Sequence, residues 1–290
     1  MNADVAEVID AHSAAGRHFT AGGVRSFVRE QGRGADVVLL HGVPTSSFLY
    51  RKVLPRLADQ GMRAIAFDLP GLGLADRPER FDYSWSGLAS WIGEAVDALE
   101  VGSCHLVLHD IGGPIGCEWA IRNPERVLSV TALNTMLDPQ TFRRPWTMQP
   151  FAVRGVASIW LHTTPPPLFA ALFRLQGLVD PKAVSRAEIY AYLALLKRLD
   201  RGRAFLRIMR GFELTSEKSR FLVEGLAERP FPTRIVWGER DPAIGLDQLE
   251  IAKRVLGVPD PVLLPAKHFL QEDQAPALAY AIADQVAPLG

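Results

Sequence analysis

The stretch Leu106–Gly116, LVLHDIGGPIG, constrains this chain more than any other. It begins apolar, as a buried parallel strand does, turns abruptly at the letters HDIGG, and continues as a predicted helix. Gly112 and Gly113 let the turn close and let the strand and the helix approach each other. A sharp turn of this kind exposes the residue at its apex, here Asp110, which makes a catalytic carboxylate one interpretation. A helix-capping Asp after a strand is the alternative, and this stretch alone leaves both open.

Composition narrows the class of protein. The chain has 290 residues, enough for one large domain or for a core with a smaller insertion. Its 32 Lys and Arg balance 32 Asp and Glu, so we expect neither a nucleic-acid partner nor a membrane partner. The two cysteines, Cys104 and Cys117, lack metal-ligand spacing and predict no disulfide framework. With no secretory signal in the first twenty residues, the sequence predicts a cytoplasmic protein, and it leaves a homo-oligomer open.

Short apolar strands alternate with helical patterns along most of the chain. This alternation predicts an α/β protein whose mostly parallel central sheet is flanked by helices on both faces. Such sheets bind ligands outside the carboxyl ends of their strands. Helices are predicted at about 46–60, 88–99, 246–256 and 277–286, after a short lead-in over 1–16. The predicted strands are Arg17–Thr20, Val24–Glu30, Val37–Leu40, Arg63–Asp68, Leu106–Asp110, Ser129–Leu133, Thr233–Trp237 and Val262–Leu264.

One segment interrupts the alternation. Residues 138–220 contain many aromatic residues and a run of three prolines, followed by arginine-rich helical spacing from Ser185 to Arg210. We interpret this segment as a helical cap inserted into the core, which then comprises residues 1–137 and 221–290.

Three residues at the ends of predicted strands form a catalytic set. Asp110 is a carboxylate, ionised at neutral pH with an unperturbed pKa of about 3.9, so it needs no base to become a nucleophile. His268 then deprotonates a water in a second step, and Asp241 orients the imidazole. The backbone N–H groups of Val43 and Ile111 are predicted to form an oxyanion hole.

Each of these residues also has a simpler interpretation. His268 fits a surface loop, and Asp241 fits an Asp-Pro turn. Their chain order of nucleophile, acid and histidine, all at strand ends, favours the catalytic interpretation over three separate coincidences. For His41 and His109 we predict structural hydrogen bonds to the backbone. Asp68 is predicted to shape a turn rather than to catalyse.

The chain resembles the Asp-nucleophile branch of the α/β-hydrolase superfamily, which contains the haloalkane dehalogenases and the epoxide hydrolases. The resemblance covers nearly the whole chain, is weakest in the cap, and is closest overall to the dehalogenases. It implies the α/β-hydrolase fold with an inserted helical cap. The segments that carry it are HGVPTSSFLYRK at 41–52, DLPGLGLADRP at 68–78, HDIGG at 109–113, WGERD at 237–241 and KHFLQED at 267–273.

The resemblance also implies a mechanism. Asp110 displaces halide from a saturated carbon and forms a covalent alkyl-enzyme ester. His268 activates a water that attacks the carbonyl carbon of this ester. The products are an alcohol, a halide and a proton. The substrate is then a small apolar organic molecule, with water as the second reactant, and no cofactor or metal is required.

Two departures from the dehalogenase pattern affect how the leaving halide is held. Dehalogenases usually carry a Trp directly after the nucleophile, whose indole N–H binds the halide, but this chain has Ile111, which has no side-chain donor. A second donor is an Asn in the HGxP loop in some dehalogenases, where this chain has Val43. In others it is a Trp of the cap. Trp160 falls about where that Trp would be, so we predict that it binds the leaving group, with a place in the cap core as the alternative.

Two other functions remain open at this point. An epoxide hydrolase needs an acid in the cap to protonate the ring oxygen. Tyr192 lies near the equivalent position, and His162 would complete a His-Tyr pair. The second is a catalytically silent ligand-binding protein of the same fold, for which a full set of nucleophile, acid and histidine serves no purpose.

Overall fold

The computed structural model describes residues 3–286, and these fold around one eight-stranded sheet. The strands are β1 Arg17–Ala21, β2 Val24–Gln31, β3 Ala35–Leu40, β4 Met62–Phe67, β5 Cys104–Asp110, β6 Val127–Thr135, β7 Thr233–Gly238 and β8 Val262–Leu264. Their order in the sheet is β1-β2-β4-β3-β5-β6-β7-β8. β1–β2 and β2–β4 pair antiparallel, and the other neighbours pair parallel.

The predicted strands are confirmed, each within two residues at its ends. β5 lies between β3 and β6 in the middle of the sheet, and all seven of its residues are buried. This burial explains the unbroken apolar run before Asp110, because a central parallel strand is covered on both faces.

Helices cover both faces of the sheet. The core helices are α1 Ala3–Ala14, α2 Leu54–Ala58, α3 Trp85–Ala98, α4 Gly112–Arg122, α9 Ser216–Ala227, α10 Leu246–Leu256, α11 Leu270–Asp273 and α12 Ala275–Val286. One hydrophobic cluster contains residues of α3, α4, α9 and α10, and a second contains residues of α1, α2 and α12. The intervening helices are α5 Val156–Thr163, α6 Pro166–Gly177, α7 Arg186–Lys197 and α8 Arg203–Arg210.

The predicted helix over residues 46–60 is wrong as a single element. The structure has a 3₁₀ turn at Ser47–Tyr50, followed by the short α2. Pro55 explains the break, because proline has no N–H to donate and its ring clashes with the carbonyl four residues earlier. The predicted lead-in over 1–16 folds as α1 from Ala3 onwards, and residues 1 and 2 lie outside the described residues.

The segment predicted to form a cap lies between β6 and β7 and contains α5 to α8. The predicted boundary at residue 220 falls inside α9, and α9 packs against α4 and α10 of the core. We therefore propose that the cap ends at Thr215, whose side chain accepts a hydrogen bond from Lys218 N and caps α9. None of the described helices combines the length and apolar character needed to cross a bilayer.

Candidate active site

A sharp elbow between β5 and α4 presents Asp110. Asp110 is the last residue of β5 and has a φ of 54°, in the left-handed region that non-glycine residues rarely adopt. Its carbonyl oxygen accepts a hydrogen bond from Thr135 Oγ1 at 2.6 Å. A Cβ at Gly113 would lie 1.7 Å from that same Oγ1, so a larger residue there would push the helix off β6. The glycines of this motif are therefore required by space.

A backbone N–H group holds one oxygen of the Asp110 carboxylate. Oδ1 accepts from Val43 N at 2.8 Å, and the backbone N–H of Ile111 acts with it to lower the pKa of the carboxyl group. The loop can approach this closely because residue 42 is glycine, since a Cβ on Gly42 would lie 2.0 Å from Asp110 Oδ1. Burial raises the pKa of Asp110, while His268 and the two N–H groups oppose that rise. Val43 and Ile111, the two residues predicted to form an oxyanion hole, thus both have backbone N–H groups that act on this carboxylate.

His268 lies between the two predicted carboxylates. Its Nδ1 is 2.8 Å from Asp241 Oδ2, and its Nε2 is 3.7 Å from Asp110 Oδ2. Because the carboxylate accepts from Nδ1–H, the other ring nitrogen is left as a base facing Asp110. Burial lowers the pKa of His268, but the charge and hydrogen bond of Asp241 together with the charge of Asp110 outweigh it, and the pKa is raised. The three predicted residues therefore meet in one place.

Asp241 is fixed by four hydrogen bonds. Oδ1 accepts from the backbone N–H groups of Ala243 and Ile244 at 2.7 and 3.1 Å, and Oδ2 accepts from Asn134 Nδ2 at 2.9 Å as well as from His268. Asn134 Oδ1 in turn accepts from the backbone N–H of the last β7 residue at 2.7 Å. Asn134 is thus a positioning residue that sequence reasoning missed, although its place at the end of β6 was a usable signal.

The three polar residues predicted to be structural are confirmed as such. His41 Nε2 accepts from Leu69 N at 3.0 Å, and its Nδ1 donates to a neighbouring carbonyl. Asp68 accepts from the backbone N–H groups of two turn residues, at 2.7 and 2.6 Å. His109 Nε2 donates to the carbonyl of His268 at 2.9 Å, and burial keeps the pKa of His109 well below its ordinary value. His109 therefore holds the backbone of the catalytic loop as a neutral imidazole.

A cavity of about 130 Å³ opens over Asp110 and His268, between the strand ends and the cap. For comparison, an engineered apolar cavity of about 150 Å³ takes up benzene. The similar volume of the cavity over Asp110 predicts a small substrate. The walls of this cavity are mostly apolar. Its cap wall includes Phe142, Phe151, Leu161, Phe205, Met209 and Phe212.

The cap residues predicted to bind substrate divide into one that lines the cavity and two that do not. Trp160 lines it together with Asp110, and binding of the leaving group by Trp160 stays a prediction. Tyr192 is buried behind the wall, where its hydroxyl donates to Glu272 Oε1 at 2.6 Å. His162 is exposed, and its Nδ1 bonds the carbonyl one turn earlier in α5. Residues two apart on a helix point about 200° apart, so Trp160 and His162 do not share a face. The predicted His162–Tyr192 pair is therefore wrong.

Polar residues missed by sequence reasoning also line the cavity. They include Arg144, Thr164 and the pair Thr147 and Gln176, whose Oγ1 and Nε2 atoms are 2.9 Å apart. No sequence signal pointed to Arg144, because the adjacent pair Arg143 and Arg144 is typical of a charged surface. Among the described residues, His, Cys, Asp and Glu side chains form no group of three that could hold a metal ion.

Comparisons with known proteins agree with this architecture. A family model described as the alpha/beta hydrolase fold matches residues 37–275. This chain belongs to the α/β-hydrolase family. "Haloalkane dehalogenase 2" of Mycobacterium tuberculosis H37Rv is 30% identical over 270 residues, covering 88% of this chain and 89% of that protein. The chain is therefore a hydrolase similar to haloalkane dehalogenases, and the alternative of a silent binding protein gains no support.

Solved structures show the same fold. Cfl2 from Burkholderia cenocepacia superposes with a TM-score of 0.80 at 26% identity, over 93% of this chain and 94% of that one. Epoxide hydrolase VrEH1 from Vigna radiata superposes with a TM-score of 0.77 at 21% identity, over 94% and 97%. Likeness at this level of identity extends to the architecture and leaves the choice between halide and epoxide to the site.

Proposed function

We propose that this hydrolase cleaves the carbon–halogen bond of small organic halides through a covalent ester on Asp110. The observation that carries the proposal is that the two oxygens of this carboxylate have different neighbours. Oδ1 is held by the N–H of Val43, while Oδ2 lies 3.7 Å from the Nε2 of His268. One oxygen is thereby fixed, and the other faces the cavity and the base.

The first step is a displacement. Asp110 Oδ2 attacks the carbon that bears the halogen, the new C–O bond forms as the carbon–halogen bond breaks, and halide leaves with the electron pair. Holding Oδ1 on backbone donors orients the carboxylate before attack and removes the cost of arranging it during the reaction. Trp160 lines the same cavity and is the proposed donor to the departing halide.

The second step is ester hydrolysis. His268 Nε2 takes a proton from water as the water oxygen attacks Cγ of Asp110, and the resulting tetrahedral oxyanion is stabilised by the N–H groups of Val43 and Ile111. Asp241 stabilises the imidazolium that forms. Collapse breaks the bond between Cγ and the alkoxide oxygen, and the departing alkoxide takes the proton from the His268 imidazolium to leave as the alcohol. Asp110 then carries one oxygen from water and loses a proton to become a carboxylate again. In the overall reaction, an organic halide and water give an alcohol, a halide ion and a proton.

An epoxide hydrolase would use the same nucleophile, acid and histidine, and it remains the second candidate. Its ring oxygen needs a proton donor in the cavity, and the predicted donors Tyr192 and His162 both lie outside the cavity lining. This placement favours the halide over the epoxide. Parallel assays for halide release from bromoalkanes and for diol formation from epoxides separate the two.

The decisive experiment traps the ester. His268→Gln retains the nucleophile but removes the base, so a bromoalkane should add its alkyl group to Asp110 stoichiometrically, as seen by intact-protein and peptide mass spectrometry. His162→Gln is the matched control, since it changes an exposed histidine and should turn over normally. An unmodified Asp110 in the His268→Gln protein, with substrates that the wild type consumes, would rule out the two-step scheme.

Three further expectations stay predictions from the sequence. These are a cytoplasmic location, the lack of a nucleic-acid or membrane partner, and the open question of a homo-oligomer. Sedimentation of the purified protein measures the last of them.

A further inference from the structure

Arg144 places a cation in the wall of the active-site cavity. It lines the same cavity as Asp110 and His268. Its Nη2 donates to Met209 O at 3.1 Å, and its guanidinium carbon lies 4.8 Å from the ring centroid of Phe212. Because Met209 and Phe212 also line the cavity, these contacts hold the guanidinium at the wall.

This guanidinium has no carboxylate partner within residues 3–286. Two other buried arginines are paired, Arg51 with Glu272 and Arg77 with Asp200. Arg29 and Arg229 also have no carboxylate partner among residues 3–286, but neither of them lines this cavity. Arg144 makes one side-chain hydrogen bond, and its Nε is shielded from solvent with no partner. Burial lowers the pKa of Arg144, yet a guanidinium stays protonated at neutral pH. A charge and several of its five N–H donors are thus left for a ligand.

A small anion satisfies such a group best. A partly desolvated cation in an apolar cavity is costly without a counter-charge, and the planar fork of a guanidinium matches a carboxylate with two parallel hydrogen bonds. The negative charge of Asp110 opposes an incoming anion, but that charge is already shared with the Val43 N–H and with His268. The positive charge of Arg144 offsets the repulsion that remains between Asp110 and the anion.

We propose that the substrate carries a carboxylate in addition to its reacting carbon, and that Arg144 binds this carboxylate. The inference rests on the proposed function, because it names the class of halide that the Asp110 reaction accepts. A cavity of about 130 Å³ limits this class to short halocarboxylic acids. The substrate predicted from the sequence was apolar throughout, and this inference changes one end of it.

Three substrates of nearly equal size separate charge from shape. We would compare 3-bromopropanoate, 3-bromopropan-1-ol and protonated 3-bromopropylamine by bromide release at constant ionic strength. The expected order of kcat/KM is anion, then alcohol, then ammonium. A charge-assisted guanidinium–carboxylate pair corresponds to a preference of about 10- to 100-fold for the anion over the alcohol.

Variants at two adjacent arginines assign this preference to one side chain. Arg144→Met keeps an unbranched chain against Phe212 but removes the charge, and should reduce the anion's kcat/KM about 10- to 100-fold while changing the alcohol's less than about twofold. Arg143→Met is the matched control, since Arg143 is exposed and its Nη1 bonds the carbonyl of Gln140. Arg144→Lys keeps the charge and should retain the order of preference, even if Arg144→Met folds poorly.

Equilibrium binding separates failure of this inference from failure of the proposed function. Propanoate cannot react, and its binding to wild type and to Arg144→Met can be followed by saturation-transfer NMR, with propan-1-ol as the neutral probe. Binding of propanoate that Arg144→Met abolishes would support the inference even if none of the bromides turned over. Turnover that ignores substrate charge, without propanoate binding, would overturn it. A defect equal for all three bromides and larger for the matching chlorides would also overturn it, because Arg144 would then hold the leaving halide.

Discussion

The core and the cap carry opposite charge. The predicted cap, residues 138–220, contains 14 Lys and Arg against six Asp and Glu, whereas the rest of the chain contains 18 against 26. The overall balance of 32 against 32 hides this asymmetry. The acidic region contains the carboxylates Asp110 and Asp241, and the basic region contains Arg144, which lines the same cavity as Asp110. Total charge therefore says little about the field that a substrate meets in the site.

The two regions also hold their functional groups in different ways. In the core, backbone N–H groups fix Asp110 and Asp241, so the geometry follows from the fold. In the cap, side chains such as Trp160 and Phe205 form the walls, so the shape depends on residue type. The difference predicts that changes in the core abolish the reaction, whereas changes in the cap alter which substrate reacts.

The largest effect is expected at Asp241. Asp241→Asn removes the charge that orients His268 and stabilises its imidazolium, and should slow ester hydrolysis about 10⁴-fold while the ester still forms. Stopped-flow and quenched-flow mass measurements separate the two steps. Asp247→Asn, an exposed acid in α10, is the control and should behave as wild type. Equal slowing of both steps would contradict a role limited to the histidine.

The pH dependence tests the same residue. His268 acts as a base when neutral, so wild-type ester hydrolysis should increase with pH, and Asp241 raises the pKa that sets the midpoint of this increase. In Asp241→Asn the lowering effect of burial dominates, and the midpoint should move down. A midpoint that stays in place would show that Asp241 does not set this pKa.

The next largest effect is expected at Gly42. A Cβ there would lie 2.0 Å from Asp110 Oδ1, so Gly42→Ala should displace the Val43 N–H and reduce kcat/KM about 10²- to 10³-fold. Gly102→Ala provides the control, because its Cβ would meet no heavy atom within 4 Å. Wild-type activity in a folded Gly42→Ala protein would mean that the loop at residue 42 accommodates the added methyl group without a loss in kcat/KM.

A smaller effect is expected in the cap. Trp160→Phe keeps an aromatic ring in the cavity wall but loses the indole N–H, and should lower kcat about tenfold for a chloroalkane and less for the matching bromoalkane. Trp146→Phe is the control, since Trp146 belongs to the cap but is 60% exposed. Equal losses for chloride and bromide would assign Trp160 to packing and remove it from the leaving-group site.

The smallest effect on activity is expected at Tyr192. Tyr192→Phe removes the hydroxyl that donates to Glu272, which should lower the free energy of unfolding by about 1 kcal/mol and leave kcat/KM within about twofold. Chemical denaturation and the bromide assay measure the two quantities. Tyr190→Phe, two residues away on α7, is the control. A large loss of turnover would return Tyr192 to the active site and weaken the division between core and cap.

Sequence reasoning succeeded where chemistry and local structure coincide. The elbow at Asp110 combines an apolar strand, a turn and two glycines, and each of these follows from short-range sterics. It failed at residues 46–60, where Pro55 divides the predicted helix. It also failed for Tyr192 and His162, because the face that a cap helix turns to the cavity depends on how the helix packs.

The sequence by itself determined which catalytic residues lie at the ends of the parallel strands. Asp110, Asp241 and His268 lie at or shortly after the ends of predicted strands, and parallel strands bring their carboxyl ends to one edge of the sheet whatever the lengths between them. The tertiary structure alone decided what else surrounds the cavity. Arg144 carries no local signal, since long-range packing sets whether a polar side chain meets solvent, a partner or a substrate. The physical reason is that backbone geometry repeats from fold to fold, whereas side-chain walls are assembled from segments far apart in the chain.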